Sequence, residues 1–482
     1  MSLIIENKDR FNKGYFISNP KKETFSIFKA NEFFFITQEG NVAIKNEILG
    51  LIRNCKKVIK ICSFILTDPE IFELLLEKAK ESAIAIFILT QYDNDKLRRA
   101  SIIDDLIEDG YESSEEQHMS IIKSLYDHGA HVRAATITHA KFLIADQKFA
   151  FITSANITTP SLNLNTESGI YLNEYDALNL DRLFDIIFQK GTQYIHFVTA
   201  NKTTAKKGRD FIVQSSANLL QKDIDLIGKE TGLRFTYEGL ENGLYKQILE
   251  IINTSKEYLY LSSFCIVGLD SLPGFKNAIE DAINRNVEIL LFCRGMNYRG
   301  DHLESCEWLF NVGCNLYGDI YNHSKGVANE VIGLIFTANI DGRHGLTNGF
   351  EVGCLLSDEQ RAKFVEFHKT IIAQSDFIYQ SKPIRKEFLD TYLYYQEKKG
   401  IVKNQFAGQM IIKSDRPKLL SDTRIFDNPI FYAEKDGRSY LAIGDDLFLT
   451  VYENGIFSIL DKSKPDRTVE KSILNYETLI IN

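Results

Sequence analysis

The 482-residue sequence has no apolar run approaching the roughly 18–20 residues that a membrane-spanning helix needs; its best runs, Ile84 to Leu89 and Val331 to Phe336, are strand-sized. A spanning helix is excluded on that ground, and a soluble protein is expected. The opening Met-Ser-Leu-Ile-Ile-Glu-Asn-Lys-Asp brings acid and amide in before a signal-peptide core forms, so a cytoplasmic location is expected. Positive charge is short as well. Lys and Arg number 56 against 65 Asp and Glu, a net charge of −9, so the surface has no general attraction for polyanions and any phosphate-binding patch must be local. The seven cysteines are odd in number and show no repeated Cys-x-x-Cys pairing, which argues against a disulfide framework or a zinc site and leaves buried, reduced thiols. There is no Gly-x4-Gly-Lys-Ser/Thr loop, so a nucleotide-driven motor would have to come from a partner ATPase or helicase. No cofactor and no metal is expected.

What is present is an ordinary globular composition, 44% hydrophobic and 25% charged, at a length that suggests about three domains of roughly 150 residues. The chain also repeats itself. Glu47 to Leu66 aligns without a gap on Gln247 to Ile266, with identities at Ile48/Ile248, Leu49/Leu249, Ile52/Ile252, Lys56/Lys256, Ser63/Ser263 and Phe64/Phe264. Each copy reads as a helix giving way to a strand. A second helix and strand follow at an offset of 203, matching Phe72, Glu77, Ala79 and Ile86 to Phe275, Glu280, Ala282 and Ile289. A third block pairs Leu125/Leu309, Gly129/Gly313, His139/His323 and Lys141/Lys325 at an offset of 184, so the first copy carries 19 extra residues within Tyr92 to Lys123. That insertion is acidic and reads as a solvated helical excursion. The basic run Lys202 to Arg209 between the copies reads as a solvated loop.

The organisation expected is therefore a β-rich segment at 1–42, a first lobe at 43–215, a second at 216–385, and at 386–482 a helical linker and a small antiparallel β domain. Asp436-Gly437 and Asn454-Gly455 mark tight turns in that last piece.

Chemistry gathers in the third repeat block. His139-Ala140-Lys141 is followed by Asp146, Ser154, Asn156 and Glu167; His323-Ser324-Lys325 is followed by Glu330, Thr337, Asn339 and Glu351. These polar residues interrupt buried-looking apolar runs, and a buried polar group without a partner costs kilocalories, so they should meet one another. On a strand, a histidine and a lysine two apart face the same side and converge on one anion. Two such sets around a pseudo-twofold axis would surround a phosphate diester, with lysines neutralising its non-bridging oxygens, asparagines donating to them, and a histidine on either side of phosphorus.

The pattern HAKFLIADQKFAFITSAN, repeated as HSKGVANEVIGLIFTAN, resembles the phospholipase D superfamily signature His-x-Lys-x4-Asp followed by Gly-Ser-x-Asn. The first motif departs from it at Thr153. The second departs at Glu330 and Thr337 and is one residue shorter before Asn339. The resemblance implies two tandem α/β/α lobes sharing one site, and metal-independent diester cleavage through a phosphohistidine. It implies His139 as nucleophile and His323 as general acid, then base. Lys141, Lys325, Asn156 and Asn339 would hold phosphate, and Glu167 and Glu351 would orient the histidines. Asp146, Glu330, Ser154 and Thr337 would support the site or its turns. Arg294 and Arg343 are weaker candidates for the pocket rim; the remaining histidines, His118 and His302 among them, read as structural.

The superfamily includes nucleases, phospholipases and phosphatidyltransferases, and fold does not choose among them. The reading adopted is an intracellular nuclease acting on DNA or RNA, resembling bacterial antiphage effectors. Two alternatives stay open: a phospholipase D or cardiolipin synthase-like enzyme acting on phospholipids, and a catalytically impaired nucleic-acid-binding scaffold. Oligomeric state is not legible.

Overall fold

The computed structural model describes residues 13–29, 32–81, 84–91, 115–192, 194–196, 212–214, 218–228, 230–297, 299–384, 387 and 391, together with seven strands between 409 and 480. Most of the acidic insertion, the basic run 202–209 and the turn residues at 436–437 and 454–455 lie outside the described residues. Among those described, no helix is long and apolar enough to cross a membrane.

Period-two burial builds the sheets. In the strand Val58–Ser63, Ile59 and Ile61 pack into one apolar cluster with Ile44, Ile48, Ile71, Leu75 and Ile122 from three helices, while Cys62 packs into another on the opposite face. In the matching strand Tyr258–Ser262, Leu259 and Leu261 face the helical layer of the second lobe and Tyr260 faces the other way. Helix starts follow local chemistry. Asp68 caps the helix Pro69–Lys80 by accepting from the Ile71 N–H, with proline at its first turn, and Ser357 forms a capping box with Gln360 at the start of Asp358–Ala373.

Each lobe is one ten-stranded mixed sheet. The first runs, edge to edge, Ile212–Gln214, Tyr194–His196, His131–Ala134, Ala85–Thr90, Val58–Ser63, Phe142–Ala145, Phe149–Thr153, Glu167–Tyr171, Phe35–Gln38, Asn41–Val42. The second runs Tyr15–Ser18, Phe377–Gln380, Asn315–Asp319, Glu288–Arg294, Tyr258–Ser262, Gly326–Ala328, Gly333–Phe336, Phe350–Leu355, Leu233–Tyr237, Glu241–Asn242. The two orders correspond strand for strand. Helices Ala43–Asn54 and Gly243–Thr254, Pro69–Lys80 and Phe275–Asn284, and Glu115–Asp127 and Gly300–Val312 also correspond, as the repeat implied. Helices Glu174–Ile186 and Asp358–Ala373 lie between the sheets. There Phe34, Ile144, Ile152 and Leu183 share a single core with Tyr260, Ile335, Val352 and Phe364 of the other lobe, so the lobes are welded by apolar burial.

Two expectations change. The segment 1–42 is not a separate piece: Tyr15–Ser18 pairs antiparallel with Phe377–Gln380 at the edge of the second sheet, and Phe35–Gln38 pairs with Glu167–Tyr171 inside the first. Each sheet edge needs backbone partners, and the N-terminal chain supplies them to both lobes. Nor is the C-terminal β region antiparallel throughout, because Gln409–Ile412 pairs parallel with Ile430–Lys435. Its other pairings are antiparallel, including Ile430–Lys435 with Arg438–Ile443 and Leu447–Val451 with Phe457–Asp461, the strands flanking the two turns expected.

Candidate active site

The two His-x-Lys motifs precede strands Phe142–Ala145 and Gly326–Ala328 instead of lying within them, which corrects the expectation that they sit on the strands themselves. The reason lies in the other lobe. The backbone N–H groups of His139 and Ala140 both donate to the Phe350 carbonyl, and Phe350 N–H donates to Ile137. Reciprocally, His323 N–H donates to the Thr166 carbonyl and Thr166 N–H to that of Tyr321. Phe350 and Thr166 are the residues just before Glu351 and Glu167, so the hooks that join the lobes deliver each glutamate to the opposite lobe's histidine. Glu351 Oε1 lies 2.5 Å from His139 Nδ1, and Glu167 Oε1 lies 2.8 Å from His323 Nδ1.

Around each pair the same shell recurs. Ser154 Oγ donates to Glu167 Oε2 at 2.5 Å, and Thr337 Oγ1 donates to Glu351 Oε2 at 2.5 Å. Those hydroxyls in turn accept from the Ser168 and Val352 N–H groups, which fixes both carboxylates from behind. Lys141 and Lys325 fold back to donate to the carbonyls of His139 and His323 at 2.6 and 2.7 Å. The Oδ1 atoms of Asn156 and Asn339 are buried without a partner, which leaves both amides uncommitted within the protein. The Glu-x-Gly pattern has a steric cause at Gly353, where a Cβ would stand 2.7 Å from the Ile335 carbonyl.

Burial sets the protonation. It pushes His323 well below the ordinary imidazole range, with Lys325, Lys141 and Arg294 adding to the fall. It lowers His139 too, against the opposing pull of Glu351. Glu167 is pushed up to about 8 by burial despite Lys325 and Ser154, whereas Glu351, equally buried, is held below its usual value chiefly by His139. Burial brings Lys325 down to about 7. The two pairs therefore differ: an ionised carboxylate backs His139, and a proton remains on the His323–Glu167 pair at neutral pH. Access differs as well, the His139 side chain being 29% exposed and that of His323 8%.

Asp146 and Glu330 lie elsewhere. Asp146 accepts from the backbone N–H groups of Lys56, Lys57 and Val58 at the far end of the strand from the histidine, and Glu330 accepts from Lys256 N–H. They fasten turns and do not reach the histidine–glutamate pairs. Asp146 has φ 53° and Gln147 φ 61°, the left-handed pair of a tight hairpin, which aspartate tolerates well. Arg343 is exposed and paired with Asp301. Arg294, by contrast, is buried beside the His323 half of the site.

Two features were legible in the repeat but carried no role there. Phe64 and Phe264 stand edge-on to His139 and His323, each 5.4 Å between ring centres. Ser63 and Ser263 pin the loops that bring those rings, donating to Ile65 O and Cys265 O and accepting from Ile157 N–H and Ile340 N–H. Their identity across the two copies was the signal.

Among the described residues one cluster has metal-ligating types, Cys293, His302 and Cys306. It does not suit a cation. His302 Nδ1 accepts from Ile266 N–H and Nε2 faces the Arg294 carbonyl, the same engagement that His118 makes with Leu66 and Gln91 in the first lobe, where no cysteines accompany it. A hollow of about 710 Å³ on the first lobe, lined by Lys57, Lys60, His131 and Arg133, is remote from this chemistry, and Lys60 there is neutralised by Asp181 and Asp185.

Residues 48–187 match the family model described as "Cardiolipin synthase, PLD-like domain". No curated protein matches the chain. Among solved structures, the chain is similar to phosphatidylserine synthase of Haemophilus influenzae Rd KW20 at 14% identity and a TM-score of 0.47, covering 82% of this chain and 97% of that one. It is similar to the phospholipase D family member Nuc of Salmonella typhimurium at 16% identity and a TM-score of 0.27, over 31% of this chain and 98% of that. Polyphosphate kinase of Porphyromonas gingivalis matches at 13% identity and a TM-score of 0.41, over 74% and 54%.

Proposed function

We propose that the chain, whose residues 48–187 match a PLD-like domain model, is a phospholipase D superfamily phosphodiesterase that works without a metal through a phosphohistidine and takes nucleic acid as substrate. The observation that carries the reading is the pair of crossed His–Glu contacts, which gives one centre two differently protonated histidine pairs. His139 donates from Nδ1 to ionised Glu351, leaving the Nε2 lone pair to attack phosphorus. A P–N bond forms as the P–O bond to the leaving group breaks, and the proton held by the His323–Glu167 pair passes to the departing oxygen. Water, deprotonated by His323, then cleaves the P–N bond. Lys141, Lys325 and the free amides of Asn156 and Asn339 meet the equatorial oxygens.

Nucleic acid is preferred on charge. Lys141 and Arg294 are buried at the centre with Lys325, itself about half protonated near pH 7, against one ionised carboxylate, Glu351, which leaves more positive charge than a lone diester monoanion neutralises. A defence role rests on the family resemblance alone, and a separate ATPase or helicase on the lack of a Gly-x4-Gly-Lys-Ser/Thr loop.

The test sets purified protein against single-stranded DNA, duplex DNA, RNA and phosphatidyl vesicles, with and without EDTA. Chelator-resistant cleavage of a nucleic acid is expected, falling about 10⁴-fold in His139→Ala and in His323→Ala. Cleavage of lipid alone overturns the substrate class, and full activity in both variants or complete loss in EDTA overturns the mechanism. Nucleic acid bound without products would point to the scaffold alternative.

A further inference from the structure

Arg294 ends the strand Glu288–Arg294 and is 2% exposed. Its backbone is pinned, N–H to the Phe264 carbonyl at 3.1 Å and carbonyl to His302 Nε2 at 3.1 Å. Its guanidinium lies 4.6 Å from the centre of the Phe264 ring, the ring that stands edge-on to His323. Nη2 reaches Asn165 Oδ1 at 3.4 Å, while Nε and Nη1 are buried with no partner, and no carboxylate pairs with the charge among the described residues. A buried cation in this condition is costly unless an anion meets it.

The duplication sharpens the point. Gln91 is the first-lobe counterpart of Arg294: its N–H donates to the Phe64 carbonyl, and its own carbonyl faces His118 Nε2, hydrogen bond for hydrogen bond. Its side chain, however, is neutral and satisfied by the Thr136 carbonyl at 2.7 Å. A scaffold requirement would act on both copies alike, so the extra charge on the His323 side answers to something other than the fold.

We infer that Arg294 forms a subsite for a second phosphate of the substrate, on the leaving-group side of the scissile diester. This rests on the reading of the centre as a phosphodiesterase site and names its substrate class more closely: a diester whose departing portion carries a further phosphate. A guanidinium with two free donors suits such a group in a way an ammonium does not. The nearly symmetric centre thereby acquires a direction, because only one of its sides holds a second anion.

The experiment measures binding, so it does not depend on turnover. His139→Ala protein is titrated calorimetrically with the dinucleotide dTpdT and with the same dinucleotide carrying a 5′- or a 3′-terminal phosphate. One phosphorylated form is expected to bind roughly tenfold to hundredfold tighter than dTpdT, the scale of a charge-assisted pair. Adding Arg294→Gln, which installs the first-lobe residue, is expected to erase that preference, the phosphorylated form losing far more affinity than dTpdT, while Arg294→Lys retains part of it. Ligand-free Arg294→Gln should unfold at the wild-type temperature or above, since two orphaned donors are removed. Equal affinity for all three dinucleotides, no binding of any, an equal loss for dTpdT, or a lowered unfolding temperature with the preference intact each overturns the inference. Wild-type hydrolysis of bis(p-nitrophenyl) phosphate, which has one phosphorus, separately judges the phosphodiesterase reading.

Discussion

The two lobes agree in what holds the backbone and differ in where charge resides. Ser63 and Ser263, Phe64 and Phe264, His118 and His302 make the same contacts in each copy. The divergence falls at the centre: Glu351 is ionised beside the more accessible His139, Glu167 stays protonated beside deeper His323, and neutral Gln91 stands opposite buried Arg294. A duplicated fold keeps its hydrogen-bond scaffold because every buried backbone group must be satisfied in both copies. Nothing compels the electrostatics to match, and a reaction needing one base and one acid is served by two halves that have drifted apart.

The glutamates give the largest contrast. Glu351→Gln removes the anion behind His139, the proposed nucleophile, and is expected to lower kcat about 10²–10³-fold across the pH range. Glu167→Gln should cost less near pH 7 but displace the alkaline limb of the rate profile, which in the wild type falls as the pair loses its proton near pH 8. Stability offers a second reading. Burial raises Glu167 from the ordinary 4.5 to about 8 in the fold, so the folded protein binds the extra proton between those values and its stability falls as pH rises through that window. Urea unfolding of Glu167→Gln should lose that slope. Identical pH profiles for the two variants would erase the distinction between the halves.

A smaller contrast separates the glycines two residues beyond each glutamate. Gly353→Ala drives Cβ against backbone, 2.7 Å from the Ile335 carbonyl, and is expected to destabilise by about 1–3 kcal/mol. Gly169→Ala meets the buried ring of Phe151 at 2.6 Å and the Ile152 carbonyl only at 3.3 Å, so a side chain and not the backbone must give, and it should cost less, about 1 kcal/mol. Thermal unfolding of both variants compares the two halves directly, and equal losses would count against backbone contact as the cause.

The smallest effect is expected at the turns. Asp146 accepts from three consecutive backbone N–H groups and sits at φ 53°, whereas Glu330 makes one bond at 2.9 Å and one at 3.5 Å. Asp146→Ala should cost about 1 kcal/mol and Glu330→Ala within about 0.5 kcal/mol in urea unfolding. Those backbone bonds and the Cys55 thiol outweigh burial and hold Asp146 below the ordinary aspartate value of 3.8. Its contribution is therefore present above about pH 4 and disappears as pH falls through the lower folded value.

Much of this was open to sequence reading because it is local or periodic. The offsets of 200, 203 and 184 located matching helices and strands, and the letters after each histidine named the polar set. The repeat extends ahead of residue 43 as well: Thr37-Gln38-Glu39-Gly40 recurs as Thr236-Tyr237-Glu238-Gly239 at an offset of 199, three identities in four positions at the strands Phe35–Gln38 and Leu233–Tyr237, too short a match to stand out in the sequence. Arg294 read as a marginal rim residue because a strand-end arginine is commonplace in sequence; what distinguishes it is the lack of any partner for Nε and Nη1, a property of its surroundings.

By itself, then, the sequence determined a duplicated α/β chain with two His-x-Lys sets, since burial periodicity and residue identity are written along the chain. Tertiary structure alone decided that the glutamates cross over. Glu351 lies 212 residues from His139 and Glu167 lies 156 from His323, separations at which only the docking of the lobes sets proximity. It also decided which pair keeps a proton, because desolvation depends on what surrounds a group in space, and that is fixed only when the two sheets close over a shared core.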